Sequence, residues 1–131
     1  MGKRVLVIDD DEDMLEILNL VFQESGYDIV TSNTSDAANH IKVIQPDIVL
    51  LDVRITGSPK DGPDICRGIK SQMATRHLPV MLVSGETDLK IIARECGADA
   101  YIAKPFDIYE LLFQVEECLS YLGKAGENVG K

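Results

Sequence analysis

Short apolar runs recur along the chain, and each of them ends on a polar residue. Val5-Leu6-Val7-Ile8 stops at Asp9-Asp10, Ile48-Val49-Leu50-Leu51 at Asp52, Val80-Met81-Leu82-Val83 at Ser84, and Tyr101-Ile102-Ala103 at Lys104. Unbroken branched aliphatics bury both faces of a strand, as a parallel sheet covered by helices requires. Between the runs the apolar period changes to that of a helix. Met14, Leu15, Leu18, Val21 and Phe22 form one such stripe, closed by Ser25-Gly26. Tyr27–Thr31 is a shorter, partly polar strand suited to a sheet edge, and Ser35-Asp36 opens a second helix that continues through Ile41 and Ile44 to Pro46. Pro63-Asp64 starts a third helix carrying Ile65 and Ile69, and Thr87-Asp88 caps a fourth through Ile91, Ile92 and Cys96, stopped by Gly97. Asp107 opens the last helix, whose Ile108, Leu111, Leu112, Val115, Leu119 and Leu122 share a face.

Alternating strands and helices predict an α/β domain in which right-handed crossovers make the strands parallel and place helices on both sides of the sheet. In such sheets function gathers at the carboxyl ends of the strands. All the polar run ends named above then meet on one edge.

At 131 residues the chain suits one compact domain. Cys66, Cys96 and Cys118 are widely spaced and contain no CxxC pair, so neither a disulfide framework nor a zinc site is indicated. A net charge of −9 lacks the cations that neutralise phosphates, which argues against direct binding to nucleic acid or anionic membrane and points to protein partners. No apolar run approaches the roughly 18 residues of a membrane span, and Met1-Gly2-Lys3-Arg4 leads directly into a strand, so a cytoplasmic location is expected.

Three carboxylates converging without a counter-ion would repel one another and raise one another's pKa. A hard divalent cation relieves that repulsion for Asp9, Asp10 and Asp52, and Mg²⁺ suits the site, with Mn²⁺ as a substitute, because it accepts few carboxylates and leaves positions for phosphate oxygens. Asp52 is the candidate reactive group. Asp11, Glu12 and Asp13 read more simply as acids complementing a helix N-terminus, and His40 and His77 as surface residues.

Val-Leu-Val-Ile-Asp-Asp-Asp, Ile-Val-Leu-Leu-Asp, Val-Ser-Gly and Ala-Lys-Pro-Phe, in this order and spacing, resemble the receiver domain of two-component response regulators of the chemotaxis-regulator kind. The resemblance implies a flavodoxin-like, doubly wound five-stranded parallel sheet in the order 2-1-3-4-5 with five helices. It gives a receiver domain over residues 1–123, with 124–131 a disordered tail or the start of a linker. It makes Asp52 the phosphoacceptor, Asp10 a direct Mg²⁺ ligand, Asp9 a ligand mostly through water and the Arg54 backbone carbonyl a further ligand. Ser84 and Lys104 would hold phosphoryl oxygens, Ser84 and Tyr101 would act as the switch, and Lys104-Pro105 is expected to be cis.

The implied function is acceptance of a phosphoryl group from a sensor histidine kinase or a histidine phosphotransfer protein. The domain would promote its own phosphorylation and slow dephosphorylation without being an enzyme in the usual sense. Output would pass to a downstream protein, or to a second copy as a homodimer, through the face made by the fourth helix, fifth strand and fifth helix. Tyr109 and Phe113 are expected on that flank. The sequence departs from the family in a loop after Asp52 about two residues longer than usual, with Thr56 where proline is common, and in bulky Arg54 two residues past the acceptor. Glu86 lies two residues past Ser84, so Arg54 and Glu86 are expected to pair across the mouth of the site and gate it. The alternative function is a degenerate receiver used only as an interaction scaffold. A flavodoxin-like electron carrier is disfavoured by the acids that follow the first strand, and an aspartyl-phosphate phosphatase by Arg54 at the position of its second acid.

Overall fold

The computed structural model describes the backbone of residues 2–128 and the side chains of residues 2–120. The elements run β1 (Arg4–Ile8), α1 (Glu12–Glu24), β2 (Asp28–Ser32), a 3₁₀ segment (Ser35–His40), α2 (Ile41–Ile44), β3 (Ile48–Leu51), α3 (Gly62–Ser71), β4 (Val80–Ser84), α4 (Leu89–Cys96), β5 (Ala100–Ala103) and α5 (Ile108–Asn128). The five strands are all parallel in the order β2-β1-β3-β4-β5, with β2 at an edge as its mixed composition predicts.

Each central strand divides its side chains between two cores, because successive residues point to opposite faces. Leu6, Ile8, Val49, Leu51, Val80 and Leu82 face α2, α3 and α4, where they meet Ile41, Ile65, Ile69 and Ala93. Val5, Val7, Ile48, Leu50, Met81 and Val83 face α1 and α5, where they meet Leu18, Phe22, Leu111 and Val115. Each fully buried aliphatic contributes roughly 1.5–3 kcal/mol relative to an exposed one. A polar substitution in these runs would therefore unfold the domain sooner than alter its site. Phe22 also meets Tyr27 edge-on at 5.4 Å, which fixes the end of α1 against the entry to β2.

Local chemistry sets the helix boundaries. Asp11 Oδ1 accepts from Met14 N at 3.2 Å to start α1, and Asp61 Oδ1 accepts from Asp64 N at 2.9 Å to start α3, with Pro63 in the first turn. Gly97, in the left-handed region at φ +82°, stops α4. Two expectations are corrected. The helix foreseen from Ser35 to Ile44 is divided, since Ser35–His40 winds as a 3₁₀ segment and only Ile41–Ile44 is α-helical, ended by Gln45 at φ 52°. Poor helix formers at Asn39 and His40, and Thr34 Oγ1 accepting from Asp36 N at 3.3 Å, favour the tighter winding, which still buries Ala37 and Ile41. Asp88 stands before α4 but makes no side-chain capping hydrogen bond.

Of the tail expected at 124–131, the backbone of 124–128 continues α5, whereas 129–131 lie outside the described residues and Leu122 outside the described side chains. Among the described residues no helix is long and apolar enough to cross a membrane.

Candidate functional site

β1 and β3 are neighbours with Ile8 opposite Leu51, so their next residues, Asp9 and Asp52, emerge side by side. Asp10 follows on the turn into α1. One carboxylate oxygen from each of Asp9, Asp10 and Asp52 lies within 4.8 Å of the others. Lys104, directly beyond β5, reaches across the edge to place Nζ 2.8 Å from Asp9 Oδ2 and 3.4 Å from Asp52 Oδ2. The Lys104–Pro105 peptide bond is cis, as expected.

The carboxylates are held differently. Asp9 is buried and both its oxygens are engaged, Oδ1 by Asp11 N at 2.9 Å and Oδ2 by Lys104. Asp10 Oδ2 accepts from Thr56 N at 3.1 Å, and hydrogen bonding from Thr56 holds its carboxyl below the usual carboxylate value despite partial burial. Asp52 is pushed the other way. Burial, then the neighbouring charge of Asp9, raises its pKa against the opposing pull of Lys104. For Lys104 burial is the largest single influence and favours the neutral amine, yet Asp9 and Asp52 together outweigh it and raise the lysine.

Ser84 ends β4, next to β3, and is buried, with its Oγ accepting from Glu86 N at 3.3 Å. Lys104 N donates to Ser84 O at 2.9 Å, which ties the β5 end to the β4 end. Arg54 and Glu86 form an ion pair across the rim, as their matched positions beyond β3 and β4 predict. The Arg54 side chain is otherwise 81% exposed, and its guanidinium pKa is raised by the bond to Glu86. Among the described residues no hydrogen bond is made to the Arg54 carbonyl, which leaves that oxygen available. Tyr101 is 39% exposed on β5, turned outward from the core, and Tyr109 and Phe113 are exposed on α5.

Sequence reasoning missed two residues that build the site. Gly62 lies so close to the end of β3 that an added Cβ would stand 2.0 Å from the Asp52 carbonyl oxygen, and Gly62 N donates to Val53 O at 2.9 Å. Thr56, noted only as a departure from proline, supplies the backbone amide that positions Asp10. The Asp61-Gly62 pair after a polar loop was the available signal for the first. For the second, the absence of proline was the signal, because proline has no N–H to give.

The acidic trio offers hard oxygen donors closely grouped, which fits a small divalent cation, and Lys104 beside it offers a fixed positive charge for an anion's oxygens. The chain matches the response regulator receiver domain over residues 5–116. A chain assigned as a response regulator from Chloroflexus aurantiacus J-10-fl is 31% identical, with a TM-score of 0.84 over 92% of this chain and 99% of that one. NtrX from Brucella abortus is 29% identical with a TM-score of 0.87 over 97% of this chain, which spans 29% of the NtrX length. The signal receiver domain of a signal transduction histidine kinase from Syntrophus aciditrophicus is 29% identical, with a TM-score of 0.82 over 91% of each chain. A flavodoxin-like sheet of this strand order, with its acids, hydroxyl and lysine gathered at one edge, and the family match across most of its length place this chain among the response regulator receiver domains of two-component signalling systems.

Proposed function

We propose that this domain receives a phosphoryl group on Asp52 from the phosphohistidine of a sensor kinase or phosphotransfer protein, and that phosphorylation changes the face formed by α4, β5 and α5. The convergence of Asp9, Asp10 and Asp52, with carboxylate oxygens within 4.8 Å of one another, and of Lys104 on Asp9 and Asp52 carries this reading.

In the transfer, an Asp52 carboxylate oxygen bonds to phosphorus while the phosphorus–nitrogen bond to the donor imidazole breaks. There is little covalent chemistry for the protein to perform, so its part is positioning and charge. Lys104 is already seated between Asp9 and Asp52 and would hold one phosphoryl oxygen; Ser84 Oγ would hold another. Mg²⁺ would be held by Asp10 and Asp52 directly, by the Arg54 carbonyl, and by Asp9 through water, and when bound it neutralises charge on the carboxylates and the phosphoryl oxygens. Engagement of both Asp9 oxygens by Asp11 and Lys104 supports the indirect role for Asp9.

A phosphoryl group beside Lys104 and Ser84 adds contacts that the free domain lacks. One ionic contact at a separation of about 4 Å is worth about 4 kcal/mol at an effective dielectric of about 20, against the roughly 5.5 kcal/mol that turns a 1:99 equilibrium over to 99:1. Ser84 would move toward the phosphoryl group and Tyr101 would turn inward from its present half-exposed position, altering a surface that also displays Tyr109 and Phe113. The partner on that face would be a downstream protein or a second copy of the domain.

The test is incubation with acetyl phosphate and Mg²⁺ followed by mass measurement of the intact chain. Gain of one phosphoryl group by wild type, lost in Asp52→Asn and in EDTA, is the expected result. Labelling that survives either change overturns the assignment.

A further inference from the structure

The loop that leaves β3 contains a tight turn over residues 55–58, closed by Ser58 N donating to Ile55 O at 3.1 Å. Its third residue, Gly57, has φ +80°, while Thr56 before it is outside the left-handed region, a combination that makes the turn type II. Proline suits the second position of such a turn, because its ring already holds the φ required. Thr56 occupies that position. The one backbone group that proline would remove there is an N–H, for which the turn itself has no use. Thr56 N donates instead to Asp10 Oδ2 at 3.1 Å.

The turn is anchored in the place where it does this. Ser58 Oγ accepts from Ser35 N at 3.0 Å, Ile55 is buried in the core on the α3 side of the sheet, and Gly62 N donates to Val53 O at 2.9 Å. With both ends of the loop tied, the Thr56 N–H is aimed at Asp10 in the metal-free domain, and little further ordering is needed when an ion binds.

Hydrogen bonding divides the carboxylate oxygens of the acidic edge into two kinds. Both oxygens of Asp9 are engaged, by Asp11 N and Lys104, while Asp10 Oδ2 is engaged by Thr56 N and Asp52 Oδ2 by Lys104. Asp10 Oδ1 and Asp52 Oδ1 accept no hydrogen bond among the described residues. Each of the two direct ligands proposed above therefore presents one free oxygen. That suits Mg²⁺, which needs only one or two carboxylates and keeps several waters. It suits Ca²⁺ poorly, because Ca²⁺ gathers roughly 6–8 oxygens and readily takes both from one carboxylate.

We propose that the Thr56 backbone N–H is a positioning group for the metal site: it turns Asp10 so that a single oxygen faces the ion, which strengthens Mg²⁺ binding and sets a preference for Mg²⁺ over Ca²⁺. This rests on the reading of Asp10 and Asp52 as direct Mg²⁺ ligands. Thr56 acts through Asp10 alone, and loss of a hydrogen-bond partner that orients a ligand weakens metal binding by about 10–100-fold.

The experiment is an NMR titration of the isotope-labelled, unphosphorylated chain with Mg²⁺ and, separately, with Ca²⁺, for wild type, Thr56→Pro and Thr56→Ala. Thr56→Pro deletes the N–H from a turn that favours proline, so its thermal midpoint in EDTA should equal or exceed that of wild type. Its Mg²⁺ affinity should fall about tenfold or more, and its Ca²⁺ affinity by less, so that the preference between the ions narrows. Thr56→Ala retains the N–H and should keep the wild-type preference. Equal Mg²⁺ affinity in wild type and Thr56→Pro, equal losses for the two ions, or a loss in Thr56→Ala as large as in Thr56→Pro would overturn the inference, the last by giving the role to the hydroxyl. If Thr56→Pro unfolds earlier in EDTA, exchange of the Thr56 amide proton in wild type decides. Saturating Mg²⁺ should slow that exchange, because ion binding and the hydrogen bond favour one another reciprocally, and unchanged or faster exchange would overturn the inference. Wild type that binds neither ion would overturn the metal-site reading and the inference with it, an outcome distinct from equal binding by wild type and Thr56→Pro.

Discussion

Lys104 Nζ stands 2.8 Å from Asp9 Oδ2, nearer than its 3.4 Å to Asp52 Oδ2. The lysine is thus first a counter-ion for the most buried carboxylate of the site, and only second a partner of the acceptor. Lys104→Met would leave Asp9 buried beside two like charges. Removing one member of a buried pair costs about 3–5 kcal/mol, and the partial exposure of this pair lowers the expected loss to about 2 kcal/mol. Urea unfolding in EDTA should show that loss, and millimolar Mg²⁺ should restore most of it. Equal unfolding of wild type and variant in EDTA would show that Lys104 does not balance the acids.

Asp52 has the opposite balance. Its raised pKa means the folded chain binds its proton more tightly than the unfolded chain does. The associated stability is present below the unfolded value of 3.8 and is lost as pH rises through the folded value, so at neutral pH the ionised group is a burden. Asp52→Asn should therefore stabilise the metal-free domain at pH 7 by on the order of 1 kcal/mol, and the advantage should shrink near pH 4 or when Mg²⁺ is added. Thermal scans at both pH values in EDTA and in Mg²⁺ test this. A variant less stable than wild type in EDTA at pH 7 would contradict it.

The glycines of α3 should respond in opposite directions. At Gly62 a methyl group would lie 2.0 Å from the Asp52 carbonyl oxygen, so Gly62→Ala must displace backbone at the acceptor and should cost more than about 2 kcal/mol. At Gly68 the same methyl meets nothing, and Gly68→Ala should gain about 1 kcal/mol from helix propensity. Chemical denaturation of the two variants separates a glycine the fold requires from one it does not.

The parts legible in the sequence are those that depend on strand ends. A strand buried on both faces must be continuously aliphatic, so its end is marked by the first polar residue, and parallel pairing brings those residues together. Asp9, Asp52, Ser84 and Lys104 were found this way. Arg54 and Glu86 were found by the same logic, since Arg54 lies two residues past Asp52 and Glu86 two residues past Ser84, on adjoining strands. The hydrogen bond from Thr56 to Asp10 and the contact that forces glycine at 62 were not legible, because both depend on the path of the loop from Val53 to Asp61, which no periodicity constrains. The 3₁₀ winding of Ser35–His40 was hidden for a related reason: Ala37, Ile41 and Ile44 fit a helical stripe equally well whether the first turns are tight or regular.

Cys66 gives a pH signature away from the site. Its thiol donates to the Cys96 carbonyl at 3.3 Å, and burial, with the Cys96 thiol beside it, pushes its pKa from 9.0 up to about 12. The folded chain keeps this proton when the unfolded chain has lost it, so the stability it confers is whole below pH 9 and declines as pH rises toward 12. The contribution to the slope is at most about 1.4 kcal/mol per pH unit. Cys66→Ala should be less stable at pH 7 through lost packing yet lose stability less steeply above pH 9. Denaturation midpoints across that range compare the slopes, and parallel slopes would exclude the thiol as their source. The same burial predicts that Cys66 resists iodoacetamide at pH 8 until the domain unfolds.

The ion pair between Arg54 and Glu86 bears on how long a phosphorylated state would last. Hydrolysis of an aspartyl phosphate requires water in line with the bond between phosphorus and the Asp52 oxygen. Arg54 is paired with Glu86 beyond the ends of β3 and β4, and we propose that its guanidinium obstructs that water and holds a phosphoryl oxygen through a charge-assisted hydrogen bond. The pair itself adds little stability, because water and salt screen an ion pair exposed in this way. Its effect is expected in the rate. Arg54→Asn should lose the phosphoryl group faster, by roughly tenfold for each 1.4 kcal/mol removed from the barrier, while its thermal midpoint stays within a degree or two of wild type. Glu86→Ala frees the guanidinium without removing it and should change the rate less than Arg54→Asn does. The measurement is decay of the phosphorylated chain at saturating Mg²⁺ after the donor is removed. Unchanged or slower decay in Arg54→Asn would show that the arginine neither blocks water nor holds the phosphoryl group, and would leave it a surface cation paired with a neighbouring acid.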